Sequence, residues 1–333
     1  MPLGHVRIRW LLGGGMTRVG GGLLVALAVL FVHVSRGYGQ AGRAMAWDEW
    51  IRLSPWVFLG DSNTFAGHYV AEIDARLHQS LGGRAPRVLN LGVASETASG
   101  ASEPDHPFPR PWVHQRLEKV LRMLQPQVVF LCYGMNDGVY APPTDENFAA
   151  YRDGMLKLVA HLRASGAAVV CLTPPPFEPE PLAARGRLGP TPDGRYAYFA
   201  PFPGYHRVVE RQAAWCVSNE MHADLVIDLY RLLHEFRATQ REQDPGFHLT
   251  SDGIHFGPVA HREVGTAVLR HLGAPADVVD GTINQEMLAR YVRRMTLLRD
   301  AYLTATGKNR PGLPAGIPPW QAEQLAEQMR SLF

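Results

Sequence analysis

Trp56-Val57-Phe58-Leu59-Gly60-Asp61-Ser62 runs from four apolar residues into a glycine turn and a serine. Four apolar residues in a row read as a short buried strand, and the amphipathic segment from Thr64 to Leu81 reads as a helix. Gly60-Asp61-Ser62 lies between them and sets a serine hydroxyl where strand gives way to helix. Backbone N–H groups and the positive end of a helix dipole point outward at such a junction. A nucleophile needs both exposure and nearby positive potential, so Ser62 is a candidate. Taken alone, Gly-Asp-Ser is also good turn chemistry, with Asp61 bracing the turn. The remaining chain has to supply a base and donors for an oxyanion.

Working outward, short apolar runs recur at Trp56–Leu59, Arg87–Leu91, Val128–Tyr133, Ala168–Leu172 and Leu225–Asp228. Helical stretches near 64–81, 113–124, 147–164, 205–222 and 257–272 alternate with them. Continuous apolar strands spaced by helices imply a parallel sheet covered on both faces. Ligands in such sheets bind beyond the carboxyl ends of the strands. That edge collects Ser62 after the first strand, Gly92 after the second and Gly134-Met135-Asn136-Asp137 after the third. Pro174-Pro175-Pro176 follows the fourth, and Asp252 and His255 follow the fifth after a helical stretch.

Acyl transfer from an ester needs a nucleophile, a base, a group orienting the base, and oxyanion donors. Ser62 is the nucleophile candidate and His255 the base candidate. Asp252, three residues earlier in Ser251-Asp252-Gly253-Ile254-His255, reaches the imidazole Nδ1–H within one turn. An isolated Asp-x-x-His is equally a capped helix start. The candidate oxyanion donors are the Ser62 N–H, the Gly92 N–H, whose missing side chain permits close approach, and the Asn136 amide. Gly and Asn at strand ends are also ordinary turn residues, so the conjunction along one sheet edge carries the reading.

With those residues in hand, the chain resembles the SGNH (GDSL-type) hydrolase superfamily. The four blocks are matched by Gly60-Asp61-Ser62, by Gly92 in Asn90-Leu91-Gly92, by Gly134-Met135-Asn136-Asp137 and by Asp252-Gly253-Ile254-His255, over roughly residues 55–272. Asn63 stands where the family name has Leu, a variable position read as not touching the chemistry. Ser95-Glu96-Thr97-Ala98-Ser99-Gly100, Phe108-Pro109-Arg110-Pro111 and Cys132-Tyr133-Gly134-Met135-Asn136-Asp137-Gly138 are similar to an exported planctomycete-type subgroup. The resemblance implies an α/β, flavodoxin-like three-layer α/β/α fold with a five-stranded parallel sheet, and neither metal nor cofactor. It implies that Ser62 Oγ attacks an ester carbonyl with His255 as base. The oxyanion would rest on Ser62 N–H, Gly92 N–H and Asn136 Nδ2. The Gly-x-Ser-x-Gly elbow of α/β-hydrolases is absent around Ser62.

The 333 residues are 46% hydrophobic and 19% charged, enough for one large domain with appendages. A net charge of +2 without a basic run offers nucleic acid no electrostatic partner. The apolar run Gly20 to Val34, flanked by arginines and no acid, reads as a signal-peptide core within residues 1–41. Either Met1 or Met16 is the start, and cleavage falls near Gly39-Gln40-Ala41. The alternative is an uncleaved membrane tether. Removing residues 1–41 takes away four arginines and shifts the charge from +2 to −2. Residues 50–275 are then the hydrolase domain, and residues 276–333 a helical C-terminal extension packed on it.

Cys132, Cys171 and Cys216 have no metal spacing; Cys132 and Cys171, in apolar runs, read as small buried hydrophobes, with a disulfide between them conceivable if their strands are neighbours. Residues 175–204, rich in Pro, Gly and aromatics, exceed ordinary loop lengths and read as either mobile or functional, in the latter case as a wall of the site. The expected function is an exported serine esterase for a small acyl ester, with acetylated carbohydrate as the substrate class. Lipase or lysophospholipase and acyltransferase activities use the same residues. A silent glycan-binding module would be signalled by loss of Ser62, Asn136 or His255, and none is lost.

Overall fold

The structure, a computed structural model, describes residues 45–308 and 310–330. The expected signal segment, residues 1–41, lies outside them. Five strands, β1 (Trp56–Gly60), β2 (Val88–Asn90), β3 (Val128–Cys132), β4 (Ala168–Leu172) and β5 (Leu225–Ile227), form one sheet. All are parallel, in the order β2-β1-β3-β4-β5. Each stands within a residue or two of its apolar run, because a strand buried on both faces must be continuously apolar.

The helices follow in chain order. Early in the chain come α1 (Trp47–Arg52), α2 (Ser62–Ala66), α3 (His68–Leu81) and α4 (His114–Leu124). Next are α5 (Asp145–Ala164), the single turn α6 (Glu180–Ala183), α7 (Tyr205–Ser218) and α8 (Leu229–Gln243). The last are α9 (Pro258–His271), the single turn α10 (Ala276–Val279), α11 (Gln285–Thr306) and α12 (Pro319–Arg330). Together they cover both faces of the sheet. Val57 and Leu59 of β1 share a core with Leu117 of α4, Leu158 of α5 and Trp215 of α7. Trp56 and Phe58, on the opposite face, pack with Ile73 of α3, Leu233 of α8 and Val264 of α9. There the Phe58 and Phe130 rings stack at 4.2 Å.

Two local departures from the periodicity have physical causes. The helix expected over 64–81 is two helices, parted at Gly67, whose φ of 68° only glycine adopts readily. A Cβ there would also lie 2.1 Å from Asn90 Nδ2. The helix from Tyr205 stops at Ser218, because Asn219 takes the left-handed conformation (φ 54°). Cys132 pairs with Leu172 in the ladder, and Cys171 with Leu131. Neighbouring register positions point to opposite faces, so the two cysteines cannot bridge, and all three are free and buried.

The order β2-β1-β3 makes β1 and β3 the crossover of the sheet. Connections leave in opposite directions there, which opens a crevice at the carboxyl ends. The β2 edge is covered by α11, which packs on β2, α3 and α12. Arg299 of α11 donates to the Phe65 carbonyl at the end of α2 (2.6 Å) and lies over the Phe65 ring.

The loop after β2 is anchored by a buried ion pair. Arg116 of α4 grips Glu96 through Nε and an Nη2 at 2.7 and 2.6 Å, and the same Nη2 reaches the Leu91 carbonyl at 2.7 Å. Tyr133 donates to the same carboxylate at 2.7 Å. Removing one partner of such a pair strands a charge away from water. Arg116→Met is therefore expected to lower the unfolding free energy by about 3–5 kcal/mol in urea titration. Glu96→Leu added to it should recover most of that loss.

Candidate active site

Ser62 is the first residue of α2, directly after β1. Asp61 caps that helix, its Oδ1 accepting the Asn63 N–H at 3.0 Å. The Ser62 N–H is one of the first-turn donors that a helix cannot satisfy itself. His255 sits in the loop between α8 and α9, 193 residues away in sequence, and its Nε2 lies 2.8 Å from Ser62 Oγ. Its Nδ1 lies 2.7 Å from Asp252 Oδ2. The other carboxylate oxygen, Asp252 Oδ1, accepts the Ile254 and His255 N–H groups at 3.0 and 2.8 Å. The loop thus folds around the carboxylate, and Nδ1 carries the proton while Nε2 faces the serine.

The electrostatics suit that tautomer. Burial lowers the His255 pKa, but the hydrogen bond and charge of Asp252, with a contribution from Asp61, outweigh it and raise the group above its ordinary 6.5. Burial alone would raise Asp252, yet the imidazole and the two loop N–H groups bring it well below the usual carboxylate range. Asp61, buried under the serine, is pushed up to about 6 by desolvation, against the Asn63 N–H and the charge of His255.

Asn136 follows β3, as expected, beside the Ser62 turn. Its Oδ1 accepts the Tyr140 hydroxyl at 3.0 Å, and its Nδ2 donates one N–H to the Glu96 carbonyl at 3.1 Å. These two bonds fix which way the amide faces and leave its second N–H for a ligand.

Gly92 follows β2, as expected, but its N–H does not serve the site. Its N–H is already donated to Asn90 Oδ1 at 2.9 Å. The residue is buried against α2, where an added Cβ would meet Phe65 N at 2.4 Å. Glycine is required at 92 for close packing, and Gly92 is withdrawn as an oxyanion donor. The β2 loop reaches the site three residues later. Val93 N–H binds the Gly60 carbonyl at the end of β1, and Glu96 N–H closes a turn onto the Val93 carbonyl. Ser95, third in that turn, has a φ of 69°, the value a type II turn demands. Since Glu96 donates the turn's own hydrogen bond, the Ser95 N–H is not consumed by it. The turn lies between the end of β1 and the Asn136 amide. No glycine at 95 advertised it, which is why the sequence passed it over.

Other residues missed by sequence reasoning hold these groups. Arg110, gripped by Glu103 through two 2.6 Å bonds, donates to the Ser95 carbonyl and lies over the Tyr140 ring. Asp137 Oδ1 ties the Ala98 and Ser99 N–H groups to the β3 loop. Glu178, fully buried in the long insert, accepts the Leu249 and Thr250 N–H groups and the Thr250 hydroxyl. It thereby fastens the loop that leads to Asp252. The outer insert meets the β2 loop through Arg195 and Asp105, two bonds of 2.8 Å. Asn63, read as remote from the chemistry, donates to the Ile254 carbonyl and accepts the Phe256 N–H.

The packing role of Gly92 is testable by stability and activity together. Gly92→Ala should lower the unfolding free energy by about 1–3 kcal/mol through the clash with α2. Ser95→Gly should be neutral or stabilising by up to ~1 kcal/mol, because it removes a left-handed serine. It should keep ester hydrolysis, because the main-chain N–H remains.

The GDSL-like Lipase/Acylhydrolase family matches residues 58–262, a span that runs from β1 into α9. No curated protein matches the chain. Among solved structures, the chain is similar to BT4096, a gut microbial diltiazem-metabolizing enzyme, at 16% identity and a TM-score of 0.48. That likeness covers 66% of this chain and 48% of the other, about half its length. It is also similar to a catalytic mutant of Axe2, an acetylxylan esterase from Geobacillus stearothermophilus, at 18% identity and a TM-score of 0.46, over 66% and 94% of the two chains. A putative GDSL-like lipase from Parabacteroides merdae aligns at 15% identity and a TM-score of 0.43, over 67% and 98%. On the family match, which spans more than half of its length, this chain belongs to the GDSL-like lipase/acylhydrolases and is a hydrolase of ester bonds.

Proposed function

We propose that this chain hydrolyses short acyl esters through an acyl-enzyme on Ser62, with His255 as base and Asp252 as the group that orients it. The observation that carries the reading is the Ser62–His255–Asp252 chain of contacts at 2.8 and 2.7 Å. Ser62 Oγ attacks the ester carbonyl while His255 Nε2 takes its proton. The oxyanion that forms accepts the N–H groups of Ser62 and Ser95 and the second N–H of Asn136. Collapse expels the alcohol, protonated by His255, and leaves an ester on Ser62. Water then attacks that ester with His255 again as base, releasing the acid and the free serine. Asp252 stays ionised and stabilises the transient imidazolium.

The substrate we favour is an acetylated carbohydrate. The imidazole is about half exposed (side chain 51%), so the site opens to solvent. An open site suits a small acyl group on a bulky polar alcohol, whereas a long acyl chain needs an enclosing apolar channel. Aromatic surface on the flanking loops, Trp112 at 36% and Tyr198 at 39% exposure, offers faces for sugar rings. We further infer export, from the arginine-flanked run Gly20 to Val34. Among the described residues no helix is long and apolar enough to cross a membrane.

Ser62→Ala should reduce p-nitrophenyl acetate hydrolysis by at least about 10⁴-fold with the fold intact, and the double variant with His255→Ala should be scarcely worse. Full activity in folded S62A would refute the assignment. The pH dependence carries a sign. His255 must be neutral to act, so activity should rise with pH along an acid limb centred above 6.5. Asp252→Asn removes what raises the imidazole, so that limb should move to lower pH while the plateau falls by about 10²-fold or more. A limb that stays in place would contradict the assigned pair.

A further inference from the structure

The side chain beside the nucleophile reaches across to the loop of the base. Asn63 is 2% exposed. Its Nδ2 donates to the Ile254 carbonyl at 3.1 Å, and its Oδ1 accepts the Phe256 N–H at 2.9 Å. Those two main-chain groups flank His255 on either side. A carboxamide presents a donor and an acceptor in one plane, as a neighbouring strand would, so it can pair with both at once. The leucine of the family's namesake motif offers neither.

We propose that Asn63 is a positioning residue that sets the His255 main chain relative to Ser62, a reading that rests on the catalytic assignment above. Asp252 holds His255 only from within the same loop, through its bonds to Ile254 N, His255 N and Nδ1. Those bonds shape the loop but do not place it against α2. Among the described residues, the hydrogen bonds between 61–67 and 250–257 are the Ser62–His255 contact and the two made by Asn63. The His255 side chain is half exposed and gains little from packing. Asn63 is adjacent to Ser62 on the same helical turn, so one rigid unit carries the nucleophile and clamps the base. Misplacement by about 1 Å costs up to 10²-fold in such a pair. Asn63 is buried and faces the loop, so its loss should act on kcat and not on substrate binding. The Asp252–His255 contact is internal to the loop and should survive, leaving the imidazole pKa where it is.

The test is Asn63→Leu assayed with p-nitrophenyl acetate, beside Ser62→Ala. The expected result is a kcat lower by about 10–100-fold, KM within about twofold, and an acid limb of the pH profile that does not move. Far-UV circular dichroism should match the parent. A folded N63L with kcat within about twofold of the parent overturns the clamp. If S62A is inactive while N63L is fully active, the clamp alone fails; if S62A is active, the catalytic reading itself fails. A measurement on the unaltered protein decides the matter even should N63L not fold. The Phe256 amide belongs to a residue that is only partly buried, and it should exchange with deuterium slowly because Asn63 accepts it. Exchange as fast as that of the exposed Ser251 amide in the same loop would also overturn the proposal.

Discussion

The crossover between β1 and β3 is the constraint on which the rest depends. A parallel sheet in the order β2-β1-β3-β4-β5 sends the chain away in opposite directions on the two sides of that pair. The crevice so opened receives Ser62 from the end of β1 and Asn136 from the end of β3. Burial of β1 and β3 along their whole length makes the placement rigid, since a one-residue slip would exchange the Val57/Leu59 face with the Trp56/Phe58 face. Everything else at the site is loop, and loops do not position themselves.

The structure meets that need with buried polar groups. Glu96 and Arg116 anchor the β2 loop, and Glu103 and Arg110 hold its outer part against Tyr140. Glu178 fastens the approach to Asp252, and Asn63 spans from α2 to the far side of His255. Buried charges and amides of this kind are costly unless every partner is present. Their concentration on the carboxyl edge of the sheet accords with a site that must be held to fractions of an ångström. Helix α11 joins in through Arg299, which reaches the end of the short helix that begins with Ser62.

The five strands were legible because double burial forces continuous apolar runs, and turn chemistry marked their ends. The meeting of Ser62 with His255 and Asp252 was legible because parallel topology gathers strand ends on one edge. Ser95 was not, since a left-handed serine carries no signature of its own, and Gly92 drew attention to a glycine whose purpose is packing against α2. Glu178 acts through contacts with residues distant in the chain, and no local pattern announces it. Asn63 was visible as a departure from the family motif, but only the fold shows which main-chain groups it pairs with. The break at Gly67 escaped because the apolar periodicity runs through it.

The central claim is that Ser62, activated by His255, becomes covalently acylated. The most direct measurement is peptide mass mapping after reaction with a fluorophosphonate, which traps a serine only when its base is in place. The account predicts a single adduct on the peptide containing Ser62, and none in His255→Ala. An adduct on another residue, or an unmodified Ser62 in protein that still hydrolyses esters, would contradict it.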